Sequence, residues 1–218
     1  MAAAKPVVRE PLRRNSRANR ERILATARRE LGRNPDVTLE ELAQAAGVVR
    51  RTLFGHFPGR AALLEALAEE ASEALRSALA GARLAEPEPA ERALAHLSLS
   101  MWPVGDRYRL LLALAQRDLG AERVAEVLAP AREKATAILE RGQRDGVFHT
   151  HLPAAVLSAG LEAMSVAFLE AVNTGDLEDD GVRVATSTLI AAGVPQERAR
   201  AVAEAVAPTV AAESAADD

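Results

Sequence analysis

A cluster of cationic and hydroxyl side chains is the feature of this sequence that most directly indicates chemistry, because it can bind an anion. Arg50, Arg51 and Thr52 are consecutive. A guanidinium group can donate two parallel hydrogen bonds to O6 and N7 of guanine, and it also neutralises phosphates. The cluster therefore indicates contact with nucleic acid, although a solvated charged face is the alternative for any one of these residues.

The segment from residue 38 to residue 57 must position this cluster, and its pattern predicts two short helices joined by a tight turn. Thr38 and Glu41 have the spacing of a capping box, in which hydroxyl and carboxylate satisfy each other's backbone donors and begin the first helix. Gly47 ends that helix, because a residue without a side chain adopts the left-handed backbone conformation at no steric cost.

The second helix of the pair is expected to begin near Val49. Leu53 and Phe57 are four residues apart and can pack inward, which leaves residues 50–52 on or near the opposite face beside the turn. This arrangement is helix-turn-helix geometry, with polar groups on the second helix.

Composition predicts an all-α protein. The 218 residues include one Trp, one Tyr and four Phe, while Ala and Leu dominate and strand-favouring residues occur in ones and twos. The sequence has no cysteine, which excludes disulfides, thiolate metal sites and a thiol nucleophile. We expect no signal peptide, no membrane span, no metal and no cofactor, and hence a soluble cytoplasmic protein.

The charges are segregated along the chain. Residues 1–60 carry a net charge of +7, whereas residues 61–218 carry −11, and together they give the overall −4. A basic segment that contains helix-turn-helix geometry is the electrostatic footprint of a nucleic-acid-binding module, because phosphate neutralisation supplies affinity for any sequence.

Breaks in the helical pattern divide the chain into segments. Within the larger domain we expect Pro103 to end one helix and a second to begin around Asp106, and we expect the last helix to end near Pro208. The predicted segments are a flexible basic arm over 1–15, a three-helix DNA-binding domain over 16–62, a helical effector-binding and dimerisation domain over 63–210, and a disordered tail over 211–218.

Two C-terminal helices carry too little charge for ordinary surface helices. Residues 152–172 contain only Glu162 and Glu170 as charges, and residues 182–192 contain only Arg183. Helices of this kind need burial on more than one side, so we infer a homodimer interface. The alternative is that both are central helices of a monomeric core. The expected interface residues are Val156, Gly160, Ala163, Ala167, Ala171 and Leu189.

Residues 17–67 resemble the N-terminal DNA-binding domain of the tetracycline-repressor-like (TetR) family of bacterial transcription regulators. The resemblance covers about a quarter of the chain, and the combination and order of its motifs are specific. Its parts are Arg22-Ile23-Leu24 with Ala27, Leu42-Ala43 with Ala45-Ala46-Gly47-Val48, Thr52-Leu53-Phe54 with His56-Phe57, and Leu63-Leu64.

The resemblance implies an all-helical regulator that binds operator DNA as a dimer and has a C-terminal domain where a small molecule often binds. By this resemblance Thr38, His56 and Arg60 would contact phosphates, and residues 50–52 would face the major groove. The full DNA-binding set that it marks is Thr38, Val49, Arg50, Arg51, Thr52, Phe54, His56 and Arg60.

Three positions depart from the family's pattern. Val49 stands where the family commonly has a serine or threonine that caps the recognition helix. Phe54 replaces a common tyrosine and lacks the hydroxyl that would bond a phosphate, and Gly55 has no side chain. We therefore expect Arg50 and Arg51 to contribute an unusually large part of the affinity for DNA.

Apolar and aromatic residues of the larger domain are candidates for an effector pocket, which would bind a small apolar or aromatic molecule. For any single one of them, ordinary core packing is the competing interpretation. The candidates are Met101, Trp102, Tyr108, Leu112, Phe148, Met164 and Phe168.

Together these features predict a DNA-binding transcriptional regulator, a repressor that binds a palindromic operator as a homodimer and is released by a small molecule. One alternative is a helical interaction module whose basic domain binds a protein. Another is a helical-bundle enzyme, but the sequence lacks the Glu-x-x-His pairs of di-metal bundles. His149 and His151 lack nearby acidic or cysteine ligands and are expected in a solvated loop.

Overall fold

The computed structural model describes residues 9–81, 88–179 and 181–216. Within these ranges the backbone forms nine α-helices and no strand, so the expectation of an all-α protein is confirmed. The helices are α1 Arg9–Arg33, α2 Leu39–Ala45, α3 Arg50–His56, α4 Arg60–Gly81, α5 Ala90–Asp118, α6 Ala121–Arg144, α7 Ala154–Thr174, α8 Val182–Ala191 and α9 Gln196–Ala216.

The first three helices pack on one another around a small apolar core. Helix α1 contributes Ile23 and Leu31, which lie eight residues apart and so share one face of the helix. Leu42 of α2, Leu53 of α3 and Phe57 at the end of α3 are likewise buried. This core holds two helices of only seven residues each.

The chain divides into two compact units, and the division differs from the expected one. The first unit contains the described residues up to Glu69 together with Leu110–Ala121, and the second contains the rest. The expected boundary after residue 62 followed the break at Pro58 and Gly59, and it missed the return of α5. In the first unit the Leu110 side chain lies so close to Gly32 that a Cβ there would be 2.9 Å from it.

Helix α5 runs without interruption through Pro103, so the prediction of two helices there was wrong. A proline inside a helix removes one backbone hydrogen bond and costs about 3 kcal/mol. Leu99 and Trp102, on the turn before it, are buried, as are Tyr108 and Leu111 beyond it. Burial on both sides of the proline offsets that cost and keeps the helix whole.

Both ends of the chain are more helical than the sequence predicted. Helix α1 begins at Arg9 instead of Ser16, and residues 1–8 of the expected arm lie outside the described residues. Helix α9 passes through Pro208 and ends at Ala216, so residues 211–216 are not a disordered tail. Val210 is buried, and the carboxylate of Glu213 lies 2.9 Å from Nε2 of the buried His96.

The core of the second unit is built from α5 to α9, with α8 and α9 in extensive contact. Leu189 lies in this core with 0% of its surface exposed, so it cannot serve as an interface residue as expected. The sequence could not distinguish burial by the chain itself from burial by a partner. Phe148 is also a core residue, because its ring fills the space that a Cβ on Gly142 would occupy.

Helix α7 is apolar over most of its surface but only partly covered. Among the described residues it is long and apolar enough, by these two criteria, to cross a membrane, which contradicts the expectation that no segment would be. A core helix of a soluble protein meets the same criteria. Leu157 and Leu161 pack into the core, and Glu162 pairs with Arg132 of α6 through two 2.8 Å hydrogen bonds.

Candidate nucleic-acid interface

The capping box at the start of α2 is confirmed. The backbone N–H of Glu41 donates to the Thr38 hydroxyl at 3.2 Å, and the backbone N–H of Thr38 donates to the Glu41 carboxylate at 2.8 Å. Hydrogen bonds from the Thr38 backbone N–H, and then from its hydroxyl, lower the pKa of the Glu41 carboxyl below its ordinary value. The Thr38 hydroxyl also donates to the same carboxylate, so its hydrogen is used within the cap.

The turn between α2 and α3 depends on Gly47, whose φ is +63°. Its N–H donates to the carbonyl of Gln44, and the N–H of Val48 donates to that of Ala43. The chain then enters α3 at Val49, which makes no side-chain cap and is 70% exposed. The helix-turn-helix geometry therefore follows from this turn, and α3 begins without a side-chain hydrogen bond at its N-cap.

Residues on the outer face of α3 form an exposed basic surface. Arg51 is exposed, while Thr52 is half-buried. Nη2 of Arg50 lies 2.9 Å from the Glu40 carboxylate, and its guanidinium carbon lies 5.0 Å from the centre of the Phe54 ring. Phe54 is half-buried and supports this arginine, so its ring has a role that the sequence did not indicate.

Arg60 binds groups of the protein itself, which compete with the phosphate contact that was predicted for it. Its Nη2 and Nη1 donate to the carbonyls of Pro35 and Val37, at 2.6 Å and 3.3 Å. Its Nε donates to the carboxylate of Asp118 at 3.0 Å. Arg60 therefore ties the loop before Thr38 to the end of α5 and positions α2.

Sequence reasoning did not single out Asp118 or its neighbour Arg117. The Arg117 guanidinium donates to Asp118 at 2.7 Å and also lies 3.8 Å from Asp36. Asp118 is 58 residues from Arg60, and no local pattern connects the two positions. The pair forms because the end of α5 is part of the first unit.

His56 closes α3 and lines a cleft against the outer face of α1. The cleft has a volume of about 470 Å³. The other residues that line it are Ser16, Arg17, Arg20 and Glu21. None of these four was selected from the sequence, because their role depends on where α3 lies against α1.

The candidate effector residues are divided between the two units. Leu112 belongs to the first unit, so we leave it out of an effector site. In the second unit Trp102 and Tyr108 are buried with their polar atoms satisfied: the indole N–H donates to the Asp179 carbonyl at 3.2 Å. The Tyr108 hydroxyl donates to Glu70 at 2.9 Å. Three further candidates are half-buried, namely Met101, Met164 and Phe168.

The expected interface stripe on α7 lies at the surface. Val156 is 53% exposed, and Gly160, Ala163 and Ala167 are exposed as well, while Ala171 is half-buried. Within the most apolar 18 residues of this helix, 22% of the stretch is buried. An apolar face of this extent remains uncovered within the chain.

His149 and His151 stack with their ring centres 5.2 Å apart, and Nε2 of His149 lies 3.0 Å from the Ala191 carbonyl oxygen. In the part of the chain that the structure describes, no cluster of three or more His, Cys, Asp or Glu side chains could hold a metal.

The family model described as "Bacterial regulatory proteins, tetR family" matches residues 23–67, which contain α2, α3 and their turn. These residues have the sequence of a tetR-family N-terminal domain. Proteins of this family are DNA-binding regulators and not enzymes. A search of curated proteins found no match.

Solved structures share the fold of this chain. A tetR-family regulatory protein from Rhodococcus RHA1 has a TM-score of 0.69 at 17% identity, over 81% of this chain and 98% of that one. A gamma-butyrolactone receptor, an ArpA-like protein, has a TM-score of 0.63 at 20% identity, over 90% and 99%. RolR in complex with resorcinol has a TM-score of 0.52 at 22% identity, over 87% and 95%.

The pairing of Asp118 predicts an acid-sensitive contribution to stability. Hydrogen bonds from Arg117 and then Arg60 hold the pKa of the Asp118 carboxyl below its ordinary value. Its contribution is complete above the unfolded pKa, about 3.9, and is lost as the pH falls through the lower folded pKa. Asp118→Asn should therefore lower the free energy of unfolding at pH 7, with the difference from the unaltered chain narrowing below about pH 4.

Urea denaturation over this pH range measures the difference. Asp145→Asn is the control, because Asp145 is exposed in the turn after α6 and loses the same charge. A difference between Asp118→Asn and the unaltered chain that stays constant with pH would contradict the assignment.

Proposed function

We propose that this tetR-family protein is a cytoplasmic repressor that binds an inverted-repeat operator as a homodimer and is released by a small molecule. The observation that carries the proposal is the exposed basic face of α3, which stands directly after the Gly47 turn with Arg50 and Arg51 at its start. Recognition helices of helix-turn-helix proteins contact base edges with their N-terminal residues.

Arg51 is the proposed base-reading residue, because it is exposed and can extend into a major groove. Arg50 is held by Glu40 and stacked on Phe54, which limits its conformations before DNA arrives. A restricted guanidinium loses less entropy when it forms two hydrogen bonds to guanine. The neighbouring Val49, with its 70% exposed side chain, would add apolar contact with the DNA surface.

Phosphate contacts are proposed for Thr52 and His56, which flank the basic face. Thr38 stays a candidate, although its hydroxyl hydrogen is used by Glu41 and a phosphate would have to displace that bond. Arg60 is not proposed as a phosphate contact, because its donors serve two carbonyls and Asp118.

The exposed stripe of α7 is the proposed dimer surface. Four of its five small residues are exposed, and small side chains allow another helix to approach closely. Ile190 of α8 is also 42% exposed. A second copy of the chain would cover this apolar face, and a two-fold dimer would present two α3 helices to two half-sites.

A small apolar or aromatic effector is supported by two structures with the same fold, whose names give resorcinol and a gamma-butyrolactone as what they bind. The proposed site lies in the second unit near Trp102 and Tyr108, with Met101, Met164 and Phe168 as further candidates. A ligand that prefers a conformation unable to bind the operator lowers DNA affinity by population shift, and the coupling is reciprocal.

Selection from random DNA duplexes tests the function. We expect an inverted repeat, in which Arg50→Ala or Arg51→Ala relaxes the preference at one base position and weakens binding by about 1–3 kcal/mol. Arg144→Ala, at the exposed end of α6, is the charge-matched control and should leave the preference intact. Absence of sequence preference would instead favour a helical interaction module.

The dimer surface is tested by Gly160→Glu and Ala167→Glu. A Cβ on Gly160 meets no atom within 4 Å, so the chain's own fold tolerates a side chain there. Sedimentation velocity should give a monomer for both variants and a dimer for the unaltered chain, with equal helix content by circular dichroism. Ala137→Glu, at an exposed position of α6, should remain dimeric. An unchanged mass in the α7 variants would contradict the proposal.

Titration with resorcinol and with a gamma-butyrolactone tests the effector. The chain has one tryptophan, so tryptophan fluorescence, excited where tyrosine does not absorb, reports on Trp102 alone. A compound that changes this fluorescence should lower operator affinity by the same factor by which operator DNA lowers affinity for the compound. Binding with no effect on operator affinity would contradict release by these classes of ligand.

A further inference from the structure

The cleft between α1 and the end of α3 combines groups that bind a phosphodiester. Ser16, Arg17 and Arg20 recur on one face of α1, at spacings of one and three residues, and His56 closes the opposite side. An arginine provides several N–H donors in a fixed plane, and a serine hydroxyl provides one more. The cleft volume, about 470 Å³, admits a phosphate with its two ester oxygens.

Arg20 is held at the wall of the cleft by an aromatic contact. Its guanidinium carbon lies 5.4 Å from the centre of the Phe57 ring, and Phe57 is buried at the end of α3. An arginine stacked in this way keeps its N–H donors directed around the ring edge. The contact therefore fixes a donor of α1 beside the recognition helix.

The charge of the cleft also favours an anion. Arg17 and Arg20 contribute two positive charges, and Glu21 contributes one negative charge on the same helix face. The balance is positive from these three residues alone. The negative charge of Glu21 weakens the attraction of the cleft for an anion. Its removal should therefore strengthen binding, whereas removal of either arginine should weaken it.

We propose that this cleft binds a backbone phosphate of the operator, in the strand next to the major groove that α3 enters. The inference rests on the proposed function, because it takes DNA as the ligand of α3. His56 belongs to α3 itself, so a strand that runs along the recognition helix passes the mouth of the cleft. The first helix then contributes to affinity without reading sequence, as phosphate contacts do.

The test measures operator affinity against salt concentration by fluorescence anisotropy. Arg17→Gln and Arg20→Gln should each reduce the slope of log affinity against log salt, and the two changes together should reduce it by about 0.9, the value for one phosphate contact. Both should weaken selected and random duplexes by the same factor. Glu21→Gln should raise affinity for both duplexes. Arg20→Lys should keep the slope, because a lysine still neutralises the phosphate.

Arg29→Gln is the matched control on the same helix. Arg29 is exposed, pairs with Glu30, and lies nine residues after Arg20, which places it on the opposite side of α1. For Arg29→Gln, the slope of log affinity against log salt should equal that of the unaltered chain. Equal losses in Arg29→Gln and Arg20→Gln would overturn the proposal, since net charge alone would then explain both.

A neutral methylphosphonate, placed at one phosphate of the duplex at a time, locates the contact. When the methylphosphonate stands at one particular position in each half-site, Arg20→Gln should cause no further loss of affinity, because the phosphate charge that Arg20 contacts is already absent. Absence of such a position would overturn the proposal. Binding of inorganic phosphate with unchanged DNA slopes would also overturn it and assign the cleft to a small anion. If the unaltered chain binds no duplex, the proposed function itself fails, whereas unchanged slopes with intact binding remove only this inference.

Discussion

The shortness of the recognition helix is the constraint on which the rest of the N-terminal unit depends. Helix α3 has seven residues, about half the length at which an isolated helix becomes stable in water. It also lacks a side-chain cap at Val49. Its stability therefore comes from tertiary packing, through Leu53 and Phe57 against α1 and α2. Residues outside this inward pair are available for contact with DNA.

The same constraint explains why the arginines around α3 differ in role. A helix held by packing needs a fixed neighbour, and α2 is fixed at its start by the Thr38 cap and by the two carbonyls that Arg60 binds. Arg50 is restrained by Glu40, which is part of α2. Arg51 is exposed. The three arginines therefore differ in their surroundings: Arg60 is bonded to carbonyls before α2, Arg50 is paired with a residue of α2, and Arg51 is exposed.

Features that depend on neighbouring residues were predicted accurately, whereas contacts between residues far apart in the sequence were not. Thr38, Glu41 and Gly47 act within a few residues of one another, and their spacing predicted the turn correctly. The Arg60–Asp118 pair depends on the return of α5, which no local pattern encodes. The interface stripe shows a further limit: Gly160 is exposed while Leu189 is buried, although both stand in charge-poor helices.

The prolines of this chain do not all mark helix ends. Pro35 lies in the loop after α1, and Pro58 in the short break before α4. Pro103 and Pro208 lie inside helices whose flanking residues are buried, and the free energy of burial there exceeds the cost of a lost hydrogen bond.

The end of α5 fixes the start of the helix-turn-helix. Its last residues, ending at Asp118, belong to the first unit. Asp118 binds Arg60, and Arg60 binds the carbonyls of Pro35 and Val37 just before α2. The end of α5 is therefore connected to the start of the helix-turn-helix through two consecutive sets of hydrogen bonds, neither of which involves the α3 core.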